Sequence, residues 1–128
     1  MANSATALNK IPINVKGSDI DGITPVKVII DTGSADLTVY TPSAGKRWAI
    51  VGWMEAEATA ANLTVKSGST TLFIWEGAAN RRIELPVGHG ILFVGNAAGE
   101  ALVLNSSATN PSYVMVYVAE FSQIRISI

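Results

Sequence analysis

Apolar and polar residues alternate along this chain in short runs, and the runs are cut by Gly, Pro, Asn and Ser. Leu63 and Val65 alternate with Asn62, Thr64 and Lys66, Ser67-Gly68-Ser69 interrupts, and Thr70 to Trp75 returns. A period of two broken by a small polar turn predicts an antiparallel hairpin. Val26 to Ile30 is β-branched except at Lys27 and predicts a strand buried mainly on one side. Leu37, Val39 and Tyr40 predict a short strand closed by Pro42-Ser43-Ala44-Gly45. Arg47 to Glu57 predicts a long one. Strict alternation there sets Trp48, Ile50, Gly52 and Met54 on one face and Ala49, Val51, Trp53 and Glu55 on the other. The Glu- and Ala-rich stretch from Met54 to Ala61 has a rival helical reading, which its shortness and flanking strands disfavour. Arg82 to Pro86 and Ile91 to Val94 predict two more strands around the turn Gly88-His89-Gly90.

The C-terminal block carries the strongest signal. Gly99 to Ser107 and Tyr113 to Phe121 read as two strands joined by a turn, the second apolar on both faces and so expected at the centre of a sheet, away from any partner. Before the first loop, residues 1–10 read as a flexible arm. Ile11, Ile13 and Val15 then alternate with Pro12, Asn14 and Lys16 as a short edge strand, so the arm spans residues 1–16 and the domain residues 17–128. At the other end Ile124, Ile126 and Ile128 alternate with Gln123, Arg125 and Ser127. These six isoleucine and valine positions are the candidate interface residues, because an alternating strand at a chain end can pair with a neighbour. About nine or ten short strands at this spacing predict an all-β, single-domain antiparallel sandwich or barrel.

Composition narrows the function more than the fold. The 128 residues suit one domain. With no Cys, disulfides, thiolate metal sites and cysteine nucleophiles are all excluded. A net charge of −1 predicts no electrostatic capture of nucleic acid or of an anionic membrane. Charged residues are 15% of the chain and hydrophobic ones 48%, which points to a surface partly covered by a partner. The N-terminus has neither the basic nor the apolar region of a signal peptide, and no apolar run is long enough to span a membrane, so synthesis in the cytoplasm is expected. The sequons at Asn62 and Asn105 are then incidental.

One stretch looks enzymatic. Val28-Ile29-Ile30-Asp31-Thr32-Gly33-Ser34 resembles the active-site loop of aspartic proteases, where a carboxylate ends an apolar strand and hydroxyls brace the turn beneath it. Two such loops share one proton and so supply an acid and a base. With one copy per chain, Asp31 would need a homodimer of the retropepsin type, a flap hairpin, and a helix after Phe93-Val94-Gly95-Asn96. The competing reading is ordinary turn chemistry. His89 lies between two glycines, remote from any nucleophile motif, and has no second His for a metal. Asp19 and Asp21 open like a calcium loop that is not completed. Gly95 to Gly99 is not followed by the Lys-Ser/Thr of a phosphate loop. Lys46-Arg47 and Arg81-Arg82 could combine with Trp48, Trp53, Trp75 and Phe73 into a face for single-stranded nucleic acid, although the net charge argues for core packing. No catalytic residue, cofactor or metal is expected outside the Asp31 alternative.

The order of the pieces carries a resemblance. Ala44-Gly45-Lys46-Arg47-Trp48-Ala49-Ile50-Val51-Gly52, Leu63 to Leu72, Ala97 to Asn105 and Tyr113 to Glu120 follow one another as in small tailed-bacteriophage virion proteins. The chain resembles that class from about Asp31 to Phe121. The resemblance implies a jelly-roll-like sandwich and a non-enzymatic role in decorating or cementing a capsid. It implies a phage major capsid protein as partner, a homodimer or homotrimer, and a place on the capsid surface. Nucleic acid, membrane and small-molecule substrates are not expected as partners. Two alternatives stand beside it: the retropepsin-like homodimer, and a tail-fibre or tail-tip module binding host glycan through exposed Trp.

Overall fold

The computed structural model describes residues 3–8, 22–31, 33, 35–57, 59–77, 79–88, 90–107 and 112–122. Ten strands run through them: β1 (Ser4–Ala7), β2 (Ile23–Ile30), β3 (Leu37–Tyr40), β4 (Arg47–Glu57), β5 (Leu63–Ser67), β6 (Thr70–Trp75), β7 (Arg81–Leu85), β8 (Phe93–Val94), β9 (Leu102–Ser106) and β10 (Ser112–Phe121). One sheet has the order β1-β2-β10-β4-β7, with β8 also on β4, and the other has the order β3-β9-β5-β6. Every pairing is antiparallel. With β1 and β8 set aside, the remaining strands numbered afresh lie 1-8-3-6 and 2-7-4-5, which is the jelly roll.

The inward faces explain why these segments pair this way. β2 gives Val26, Val28 and Ile30, β10 gives Val114, Val116 and Val118, and the facing sheet gives Leu63, Val65, Leu102 and Leu104, all buried in one cluster. Trp48, Ile50 and Trp53 from β4 join it and are fully buried. Each such side chain contributes roughly 1.5–3 kcal/mol relative to exposure.

Trp48 and Trp53 cannot share a face under strict alternation. A β-bulge resolves this: β10 residues Tyr117 and Val118 face Gly52 and Ile50, so Val51 is an extra residue on β4. Beyond it Trp53, Glu55 and Glu57 turn inward, while Gly52, Met54 and Ala56 turn outward. The sequence-based face assignment therefore fails after Ile50. No helix forms among the described residues between Met54 and Ala61; β4 runs to Glu57.

β10 lies between β2 and β4, as its apolar pattern predicts. It is not buried on both faces, because Tyr113 is exposed. Ser4–Ala7 is an edge strand where the sequence reading has a flexible segment. The backbone N–H of Asp31 donates to Asn3 Oδ1 at 2.7 Å and that of Leu8 to the Pro25 carbonyl at 2.8 Å, one at each end of β1. Its small side chains give no hydrophobic signal; backbone pairing along the edge of β2 orders it. Ile11, Ile13, Val15, Ile124, Ile126 and Ile128 lie outside the described residues, as does His89.

Candidate interaction surface

The registers set the outward side chains of the larger sheet in rows. One row is Ser4, Ile29, Tyr113, Ala56 and Arg82. The next is Thr6, Lys27, Met115, Met54 and Glu84. In the third, Tyr117 faces Gly52, and a Cβ on Gly52 would stand 2.8 Å from Val87 Cγ2 and 3.0 Å from Tyr117 Cδ2. Val87 and Tyr117 thus fill the space over Gly52. Tyr113 is 51% exposed and Met54 42%, high for large apolar side chains at the middle of a sheet. A depression of about 370 Å³ runs between Lys27, Met54, Ala56, Glu84, Tyr113 and Met115. Towards the Ile23 end the same face is covered, with Ile23, Val51 and Ala119 buried beside Tyr117. The open apolar area is therefore confined to the Tyr113 half.

The smaller sheet carries exposed Phe73 and Ile74 on its edge strand β6 and polar groups on β3, β5 and β9. Lys66 Nζ lies 2.9 Å from Asp36 Oδ2, and Asn105 Nδ2 donates to Asp36 Oδ1 at 2.8 Å. The hydrogen bond from Lys66, then that from Asn105, holds the Asp36 carboxyl below the usual carboxylate range.

Buried carboxylates close both ends of the sandwich. At one end Arg81 donates through Nε to Glu55 Oε2 and through Nη2 to Glu57 Oε2, each at 2.6 Å. Its Nη1 donates to the carbonyls of Ala61 and Trp75 at 3.1 Å, and Ser112 Oγ donates to Glu57 Oε1 at 2.7 Å. Burial pushes the Glu55 carboxyl upward, and the Arg81 hydrogen bond works against that. Gly77 lies against this network: a Cβ there would fall onto the Arg81 guanidinium and the Ala61 carbonyl. At the other end Glu120 Oε1 accepts from Tyr40 Oη at 2.9 Å and from the Ser43 backbone N–H at 2.7 Å. Burial first, then the Glu120 hydrogen bond, raises the Tyr40 phenol to about 12. Substrate has no way to Glu55 and Glu57, both 3% exposed and both bound by Arg81. Their chemistry is structural: they lock β4 to β7 and to the turn after β6.

Asp31 directly follows β2 at the corner between the sheets and is half-buried. The parts a retropepsin needs around it are not assembled. Phe93–Val94 is a two-residue strand on β4, Gly95 donates its N–H to the Trp48 carbonyl, and no helix follows among the described residues. The Ser67-Gly68-Ser69 turn lies at the opposite end of the smaller sheet, because Ser67 pairs with Leu102 and Leu102 with Tyr40, whereas Asp31 is at the Leu37 end.

Arg47 donates to the Gly95 carbonyl at 2.6 Å and stands over the Phe121 ring at 5.7 Å. Arg81 is held internally, and Trp48 and Trp53 are fully buried. Trp75 is half-buried and packs with Trp53, Phe73 and Phe93 where the β6 edge meets β8. These residues do not form an exposed aromatic-basic face. The exposed aromatics among the described residues are Tyr113 and Phe73. No three His, Asp or Glu side chains gather as a metal site among the described residues.

The sequence reading missed the open face itself. The signal was there: Tyr113, Met115 and Tyr117 alternate with Val114, Val116 and Val118, large and amphipathic against small and aliphatic. The bulge at Val51 hid the matching positions on β4. Comparisons with family models, with curated proteins and with solved structures return no match.

Proposed function

We propose that this chain is a non-enzymatic virion structural protein, a jelly-roll module that decorates or cements a bacteriophage capsid. The observation that carries the reading is the open apolar half of the larger sheet. Buried carboxylates and arginine tie the fold together from inside, while Tyr113 and Met54 stand exposed on the outer face around a shallow depression. A surface of this kind adheres by area, at about 25 cal/mol for each Å² of apolar surface removed from water. Repetition over a lattice multiplies weak contacts into avidity. The resemblance to tailed-phage virion proteins supports the same reading. Its four pieces fall on β4, on the β5–β6 hairpin, on β9 and on β10, which supply the central strands of both sheets.

The test is co-sedimentation with empty capsids assembled from the major capsid protein encoded in the same genome. The chain is expected to pellet with them and to saturate at a fixed ratio to capsid subunits. A chain left in the supernatant at micromolar concentration overturns the proposal.

A further inference from the structure

The open face is self-complementary, and we infer that its occupant is a second copy of this chain, docked about a two-fold axis. The inference rests on the reading above only in taking this face to be covered. Consider an axis parallel to the strands and midway between β10 and β4. Rotation about it lays one copy's face on the other's, exchanges β2 with β7 and β10 with β4, and keeps the rows in register. Because Lys27, Met115, Met54 and Glu84 form one row, Lys27 then faces the second copy's Glu84, and Met115 faces its Met54. In the next row the exposed Tyr113 faces the second copy's Ala56, a large side chain against a small one. No like charges are brought together.

Charge placement favours this occupant over an unrelated apolar surface. Lys27 and Glu84 flank the apolar strip on opposite sides, and neither has an ion pair or side-chain hydrogen bond among the described residues. Strands stand about 4.8 Å apart, so Lys27 and Glu84 are roughly 14 Å apart within one copy, too far to pair. A two-fold dimer makes both pairs at once, as an isologous interface must. Aligned sheets pack about 10 Å apart face to face, which suits methionine and tyrosine between them. Three rows on the four strands that face each other measure roughly 19 by 20 Å, or about 760 Å² over the two copies, in the range of a weak, transient interface. The dimer is therefore a weak, reversible one. The open face then supplies the copy-to-copy part of the proposed lattice adhesion, and capsid contact falls to the surface outside it.

Sedimentation equilibrium of the full chain tests this. Twice the 13.4 kDa chain mass is expected at tens of micromolar, dissociating on dilution. Lys27→Glu alone and Glu84→Lys alone are each expected to weaken association by at least about tenfold. The double variant K27E/E84K restores it to within about threefold, since the pairs form again with reversed sign. Met54→Lys is expected to leave a folded monomer. A monomer at all concentrations, a trimer, or a dimer indifferent to these four variants overturns the inference. A monomer that still pellets with capsids defeats the dimer and leaves the virion reading standing, and a dimer that stays in the supernatant does the reverse.

Discussion

Arg81 holds two carboxylates that water barely reaches. Removing a partner from such a network costs more than the network stabilises, because the remaining charges keep their desolvation penalty. Arg81→Met is expected to cost about 3–5 kcal/mol at pH 7, read from the denaturation midpoint. The pH dependence has a definite sign. Glu55 in the fold is already raised above its ordinary value of 4.5 by burial, and Arg81 supplies the interactions that lower it. Without Arg81 it rises further, so the folded state binds protons more tightly than the unfolded state. Stability then falls as pH rises from the unfolded value through the folded one. The loss in Arg81→Met should shrink between pH 7 and pH 5, and a loss independent of pH would contradict this account. Asp31 allows the opposite kind of test. If the Asp31-Thr32-Gly33-Ser34 segment is turn chemistry, peptide turnover at mildly acidic pH stays at background in both the parent chain and Asp31→Asn. A parent activity abolished by the substitution would establish the protease alternative.

At the scale of the strand, the Val51 bulge decides which side chains are inside. Counting by twos from Trp48 brings Ile50 inward but sends Trp53 out; one extra residue corrects the parity for Trp53, Glu55 and Glu57. Deleting Val51 makes the alternation regular without moving any of these residues to the other face. That deletion is expected to leave a cooperative fold, at a cost of about 2 kcal/mol for the lost apolar contact with Ile23, Ala119 and Tyr117. Deleting Met54 instead puts Trp53 and the Glu55–Glu57 pair on opposite faces and should abolish cooperative unfolding by circular dichroism. The contrast shows what sequence pattern carries and what it does not. β3, β4, the β5–β6 hairpin and β10 are legible because period-two runs and Gly or Pro turns bound them. The parity of β4 is missed by strict alternation, although Gly52, an isolated glycine inside the strand next to the extra Val51, is the mark such a bulge leaves. β1 is not legible, because Ser4, Ala5, Thr6 and Ala7 are small, and only Ala5 packs against the core while backbone pairing with β2 holds the strand. Of the candidate site, Asp31 drew notice by motif. The open face needed the registers of four strands before Lys27, Tyr113, Met54 and Glu84 could be seen as one surface.

For the whole molecule, the placement of β1 has a mechanical consequence. β1 and β10 both pair antiparallel with β2, so they run parallel to each other on its two sides. A load applied ahead of Ser4 and beyond Phe121 pulls on opposite ends of the sandwich. The backbone bonds between β1 and β2 lie across that load and resist it together, in shear. If β1 detached, the same load would pass to Ile23, which lies at the Phe121 end. Force would then peel β2 from β10 one bond at a time. Four small residues that contribute little to the core would thus act as the clasp of a tensioned joint, setting the force at which a module strained between two attachments begins to open.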